Sequence, residues 1–308
     1  MLTEIRRGDV RSLHSAVVLK RLFICLVGCL LASGLVAHAA LQEEQFDLPV
    51  RVVNAYGKQV DHTIKVTVFS DDTNPKPAPV LVLGHGRAAE QQDRAKMGRS
   101  RYSVASKFFV ERGFIVALPT RIGYGVTGGE DVEDSGYCQN KNYPPVFAAA
   151  VTQTLAVLDA VRQRPDAAKD RALVVGQSFG GALSVAVAAQ NPPGVVAAIN
   201  FAGGNGGNPM THPRYPCAPG GIERMFGSYG KTARIPVLWI YTENDQYFGA
   251  EYPREWFKAF TDAGGNGEFV QFPPHGEDGH ILFTRFPQVW QPKIGEFLDA
   301  VGFGKPER

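Results

Sequence analysis

Leu173-Val174-Val175-Gly176-Gln177-Ser178-Phe179-Gly180-Gly181 is the stretch on which the reading of this chain turns. An apolar run begins at Arg171-Ala172 and has the character of a central, doubly covered parallel strand. It runs into Gly176-Gln177-Ser178-Phe179-Gly180. The following Phe179–Gln190 segment is rich in Ala, Val and Gly and is stopped by Asn191-Pro192-Pro193. A serine between a buried strand and a small-residue helix sits on a sharp turn with its hydroxyl exposed. Glycines flank such a serine where the backbone passes too close for a Cβ. The bare pentapeptide arises by chance about 0.1 times in a chain of this size, so the weight of the reading rests on that strand–turn–helix context.

The same alternation extends on both sides. Pro49–Asn54 and Thr63–Phe69 read as an N-terminal antiparallel hairpin, the second with period-two Ile64, Val66 and Val68. Further strands are expected at Pro79–Leu83, Phe114–Leu118, Val195–Phe201, Pro236–Tyr241 and Glu268–Phe272. Helices are expected at Ser100–Arg112, Pro145–Arg164, Arg254–Ala263 and Pro287–Val301. Strands without internal polar alternation, separated by helices, imply an α/β fold with a mostly parallel sheet covered on both faces. Two long loops rich in Gly, Pro and Tyr, Thr120–Pro144 and Ala202–Lys231, follow strand ends. Ligands of open α/β sheets bind outside those carboxyl ends.

Residues 1–39 have a different character. Arg6, Arg7, Arg11, Lys20 and Arg21 precede the apolar run Leu22–Val36, and Ala37-His38-Ala39 follows. This is the layout of a secretory signal peptide, so residues 40–308 are expected to form a single mature domain. Lipid attachment at Cys29, within Leu26-Val27-Gly28-Cys29, is the alternative. The formal charge of +2 comes from the leader; residues 40–308 carry 27 basic and 28 acidic side chains. Nothing there suggests nucleic-acid binding, and no stable membrane span is expected in the mature chain. Cys138 and Cys217 remain after cleavage, an even pair expected to form a disulfide in an oxidising compartment and to tie the two long loops together. Their 79-residue separation is no zinc-site spacing, so no metal is expected; no cofactor is expected either.

A serine hydroxyl needs a neighbouring base. In this architecture the order along the chain is Ser, acid, His. His280, in Gly279-His280-Ile281-Leu282-Phe283, is the preferred base and His275 its competitor. Asp245, in Thr242-Glu243-Asn244-Asp245, is the preferred acid and Glu243 the alternative. An oxyanion hole requires two preorganised N–H groups, assigned to the backbones of Phe179 and Arg87. Arg121 and Tyr124 are candidates to touch substrate, and Tyr124, Tyr137, Tyr143 and Tyr215 to line an aromatic pocket.

Taken in order, Gly84-His85-Gly86-Arg87, Gly176-Gln177-Ser178-Phe179-Gly180-Gly181, Asn244-Asp245 and Gly279-His280-Ile281-Leu282-Phe283 resemble the α/β-hydrolase superfamily, in particular its dienelactone-hydrolase-like and prolyl-oligopeptidase-like esterases. The resemblance spans about residues 48–302. It implies nucleophile Ser178, acid Asp245, base His280 and oxyanion donors Phe179 and Arg87. Dienelactone hydrolases proper carry a cysteine nucleophile, so serine here favours hydrolysis of a small-molecule ester, which with the leader makes an exported carboxylesterase the expected function. A peptidase or amidase using the same residues, and a noncatalytic binding protein on this fold, are the other readings, since fold alone does not fix function.

Overall fold

The structure is a computed structural model that describes residues 41–306. The expected leader, its cleavage point after Ala39 and the alternative lipid-attachment residue Cys29 lie outside the described residues.

Eight strands form one sheet: β1 (Gln42–Val53), β2 (Gln59–Ser70), β3 (Ala78–Gly84), β4 (Ile115–Thr120), β5 (Ala167–Gln177), β6 (Val195–Phe201), β7 (Val237–Thr242) and β8 (Gly267–Phe272). Their spatial order is β1-β2-β4-β3-β5-β6-β7-β8. The pairs β1–β2 and β2–β4 are antiparallel, and every later pair is parallel. Ser178 follows β5, the strand with two neighbours on its left and three on its right among the parallel set's partners, and so emerges near the middle of the sheet.

The side-chain period of two sorts each strand onto two cores. Val80 and Val82 of β3, with Trp239 and Tyr241 of β7, face one layer; Leu81 and Leu83, with Leu238 and Ile240, face the other. The first layer contains α3 (Tyr143–Arg162), α4 (Phe179–Ala188), α5 (Pro219–Gly230) and α6 (Tyr252–Asp262). The second contains α2 (Ser103–Val110), α7 (Leu282–Arg285) and α8 (Pro287–Ala300); the short α1 (Gln91–Lys96) precedes α2. Helix α3 has Pro144 in its first turn, where its missing N–H costs nothing. It is long and apolar enough to cross a bilayer, but Val146, Phe147, Ala150, Val157 and Val161 are spent on the core.

Strands β1 and β2 and helix α5 differ from the sequence expectation. Strands β1 and β2 start earlier than read, because their outer halves are largely polar and exposed and lack the apolar pattern by which a strand is read, as in Gln42-Glu43-Glu44-Gln45. Helix α5 lies inside what reads as the second long loop. Gly220, Gly221, Gly227 and Gly230 disfavour a helix there, yet Ile222, Met225 and Phe226 fall on one face and are buried. A Cβ at Gly230 would collide with the Phe260 carbonyl of α6, so that glycine permits the two helices to approach. Packing overrides propensity in this segment.

Trp290 is fully buried among Phe108, Phe109, Phe201 and Phe283, and its Nε1–H donates to the Phe283 carbonyl at 3.1 Å. Through Phe283 it anchors the segment that follows His280. Trp290→Ala is expected to lower the unfolding free energy by about 3–5 kcal/mol, measured as a shift of the urea midpoint at unchanged slope.

Candidate functional site

Strand β5 ends at Gln177 and α4 begins at Phe179, so Ser178 alone makes the turn. Its φ of 59° and ψ of −123° lie in a region non-glycine residues rarely adopt. Gly176, Gly180 and Gly84 make that turn sterically feasible. A Cβ on Gly176 would run into the Gly180 carbonyl, and one on Gly180 into the carbonyl of Gly84. The Ser178 N–H donates to Phe201 O at 2.8 Å, and its carbonyl accepts from Gly181, Ala182 and Gly204. The strained residue is thus held by its own main chain from both sides.

Ser178 opens on a cavity of about 170 Å³ whose wall includes Arg87, Lys141, Phe179, Asn205, His212 and Tyr247. Behind Tyr247 lies His280, stacked on that ring at 4.0 Å and edge-on to Phe248 at 5.2 Å. The His280 Nδ1 and Asp245 Oδ2 are 2.9 Å apart, both side chains buried. The other Asp245 oxygen accepts from the N–H groups of Tyr247 at 2.7 Å and Phe248 at 2.9 Å. A carboxylate is an acceptor only, so the proton in its contact with His280 sits on Nδ1 and leaves Nε2 with its lone pair free. Gln177, next to Ser178, donates from Nε2 to the His280 carbonyl at 3.3 Å, tying the histidine loop to the serine turn.

Asp278 was not singled out by the sequence reading. Its Oδ1 accepts from the N–H of His280 and the N–H of Gln246, each at 2.9 Å, and so clamps the histidine and aspartate loops to one another. An Asp immediately before a helical turn is a capping signal, legible once the turn Gly279–Ile281 is known. The alternatives separate from this pair. The Glu243 side chain is exposed, and His275 bonds locally to the Pro273 carbonyl at 2.7 Å.

The loop after β3 lies against the serine. A Cβ on Gly86 would come within 3.2 Å of Ser178 Cβ and 3.0 Å of Gln177 Oε1. Among the described residues, neither the Arg87 N–H nor the Phe179 N–H donates to a protein acceptor. The loop is fixed from beneath. Arg121 donates from its backbone N–H to His85 Nε2 at 3.1 Å and from Nη1 to the His85 carbonyl at 2.8 Å. His85 Nε2 is therefore unprotonated, and Nδ1–H donates to the Gly86 carbonyl at 2.7 Å. Burial, and then the Arg121 charge, push the His85 pKa well below its ordinary value, keeping it neutral.

Arg121 and Tyr124 do not reach the cavity, contrary to the expectation that they touch substrate. Both are fully buried. Arg121 pairs through Nε with Glu133 Oε1 at 2.5 Å, and its guanidinium lies 4.9 Å over the Phe179 ring. The Tyr124 hydroxyl donates to the other Glu133 oxygen and accepts from Arg87 Nη1 at 3.1 Å. Arg87 grips Asp131 through two bonds of 2.8 and 2.6 Å, and Arg94 shares that carboxylate. Burial lowers the pKa of Arg87, but the Asp131 pairing outweighs it and holds the guanidinium charged. Tyr137 and Tyr215 are exposed, and Tyr143 is buried with its hydroxyl on the Cys217 carbonyl. The aromatic wall comes instead from Phe179, Tyr247 and Phe248.

Cys138 and Cys217 are joined by a disulfide, as expected, with Cα atoms 4.8 Å apart. It couples the two loops, and Cys217 reaches the cavity wall.

The sequence profile of the dienelactone hydrolase family matches residues 99–280. A search by sequence against curated proteins returned no significant match. Among solved structures, the acylaminoacyl peptidase of Pyrococcus horikoshii is similar with a TM-score of 0.60 and 13% identity, over 91% of this chain and 44% of that one. This chain therefore spans less than half the length of that peptidase. An esterase from Pyrococcus furiosus aligns with a TM-score of 0.52 and 14% identity, over 83% and 90% of the two chains. A structure assigned to a dienelactone hydrolase of Klebsiella pneumoniae aligns with a TM-score of 0.53 and 13% identity, over 84% and 98%. At such identities the likeness is one of fold.

The buried Arg121–Glu133 pair gives a direct test of the loop support. Glu133→Gln leaves Arg121 charged without a counter-ion and is expected to cost about 3–5 kcal/mol of stability, read by chemical denaturation. A conservative Glu133→Asp is expected to recover part of that loss.

Proposed function

Because the chain belongs to the dienelactone hydrolase family and is a hydrolase of α/β-hydrolase fold, we propose that it is a serine carboxylesterase acting through Ser178, His280 and Asp245. The observation that carries this reading is the buried 2.9 Å contact of His280 Nδ1 with Asp245 beside a serine held at positive φ over a cavity.

In the proposed reaction, His280 Nε2 takes the Ser178 hydroxyl proton as Oγ attacks the ester carbonyl. Asp245 keeps the imidazole in the required tautomer and stabilises the imidazolium. The developing oxyanion is received by the backbone N–H groups of Phe179 and Arg87, whose lack of protein acceptors supports that role. Imidazolium then protonates the leaving alkoxide, giving the alcohol and a Ser178 acyl ester. Water, deprotonated by the same Nε2, attacks that ester and releases the acid and the free serine.

A cavity of about 170 Å³, with Arg87, Lys141, Asn205 and Asn208 in its wall, supports esters of small polar acids over long-chain lipids. The layout of residues 1–39, together with the Cys138–Cys217 disulfide, supports export to an oxidising compartment.

A fluorophosphonate probe is expected to label Ser178, and short p-nitrophenyl esters to be turned over. Ser178→Ala and His280→Ala are expected to lower kcat/KM by about 10³-fold or more, with Asp245→Asn in a similar range. A folded chain that neither takes the probe nor hydrolyses such esters rules out the proposal. Hydrolysis of aminoacyl anilides at rates comparable to esters would move the assignment to an amidase.

A further inference from the structure

The wall of the cavity onto which Ser178 opens holds a side chain that the proposed reaction does not use. Residues 208–212 close a small loop through the Asn208–His212 bridge. The His212 ring is thereby set against the disulfide. Its Nε2 is 3.5 Å from Cys217 Sγ and 3.2 Å from the Gly206 carbonyl, and its Nδ1 is 2.7 Å from the Thr211 hydroxyl. The two sulfurs and one ring nitrogen lie within 4.8 Å of one another. His212 and Cys217 line the same cavity as Ser178.

We propose that Cys138, Cys217 and His212 become a three-residue site for zinc, or a similar soft divalent cation, once the disulfide is reduced, with water as the fourth ligand. Bond lengths of about 2.3 Å to sulfur and 2.0–2.1 Å to nitrogen, at a tetrahedral angle, place sulfur and nitrogen about 3.5 Å apart. The Cys217 Sγ to His212 Nε2 distance of 3.5 Å already has that value. Two adjustments remain: the bonded sulfurs open to about 3.8 Å, the sulfur–sulfur edge of the same tetrahedron, and the Cys138 sulfur closes on the ring nitrogen from within 4.8 Å to about 3.5 Å. Neither cysteine lies within a long element that would resist it. Cys138 starts the three-residue turn Cys138–Asn140, and Cys217 precedes α5.

The chemistry balances with a dithiol as reductant. The dithiol gives two electrons and two protons to the Cys138–Cys217 bond and leaves as its own disulfide. Each cysteine thiol then loses its proton to solvent as it coordinates the cation. His212 needs a lone pair on Nε2, which in the oxidised protein points at the Gly206 carbonyl and so carries the proton. With the proton on Nδ1 instead, the ring donates to the Thr211 hydroxyl, and a metal-bound imidazole is held in just this way by an outer acceptor. The flanking residues therefore satisfy both tautomers. The spacing of the cysteines hides the site, because its third member, His212, lies 74 residues after Cys138 and five before Cys217, a pattern unlike a zinc-finger spacing.

The test is a cobalt(II) titration of the full chain, with and without prior reduction by a water-soluble phosphine. The reduced chain is expected to bind one equivalent, with a sulfur-to-cobalt charge-transfer band and the visible bands of tetrahedral cobalt. The oxidised chain is expected to show neither. His212→Ala is expected to weaken the affinity by more than about tenfold, the cost of losing even an outer partner of a metal ligand, and Cys217→Ser to remove most of the charge-transfer intensity. Absence of these bands in the reduced chain overturns the proposal, as do bands that His212→Ala leaves unchanged. Far-ultraviolet circular dichroism is followed in parallel. Loss of fold on reduction that cobalt fails to restore counts against the site equally.

Discussion

The contact of backbone on backbone between Gly84 and Gly180 is the constraint from which the site is built. Helix α4 starts so close to the ends of β3 and β5 that no side chain fits between them. That approach forces Ser178 to turn the chain at φ 59°, a conformation that costs about 1–3 kcal/mol for a residue with a Cβ. The surrounding main chain offsets this cost: Phe201 accepts the Ser178 N–H, while Gly181, Ala182 and Gly204 donate to its carbonyl. The strand ends, the loop after β3 and the start of the second long loop all meet at this one residue.

Burying polar groups around such a turn is expensive unless each finds a partner. Here they form connected chains. His85 links the loop after β3 to Arg121, Arg121 is neutralised by Glu133, Glu133 receives the Tyr124 hydroxyl, and Tyr124 meets Arg87, which Asp131 holds. A buried ion pair of this kind adds little net stability compared with apolar packing. Its contribution is orientation: the Gly86 and His85 carbonyls are both engaged from below, so the backbone that faces Ser178 has little freedom to turn. On the opposite side Asp278 does the same for the His280 and Asp245 loops with two bonds from a single oxygen.

Much of this was legible along the chain, and the exceptions have a common cause. Ser178, Asp245 and His280 could be singled out because each follows a strand end in a known order, and Asp245 and His280 indeed meet at 2.9 Å. Arg121 and Tyr124 also follow a strand end, in a loop rich in Gly and Tyr, and sequence offered no means to tell a cavity-facing arginine from a buried one. The distinction depends on Glu133, twelve residues on, folding back beneath them. Helix α5 was hidden by its four glycines, since the burial of Ile222, Met225 and Phe226 against α6 is a long-range term absent from local propensity.

The sequence by itself determined the alternation of strands and helices, the parallel sheet, the glycine-flanked serine and the pairing of Cys138 with Cys217. These follow from local periodicity, steric demands at single residues and the parity of two cysteines. Tertiary structure alone decided which polar side chains face the cavity and which brace it. It left Lys141, Asn205 and His212 at the wall and took Arg121 and Tyr124 out of it. The physical reason is that a charged or hydroxylic side chain goes where its partner is, and these partners are brought together by chain segments that carry no mark of one another.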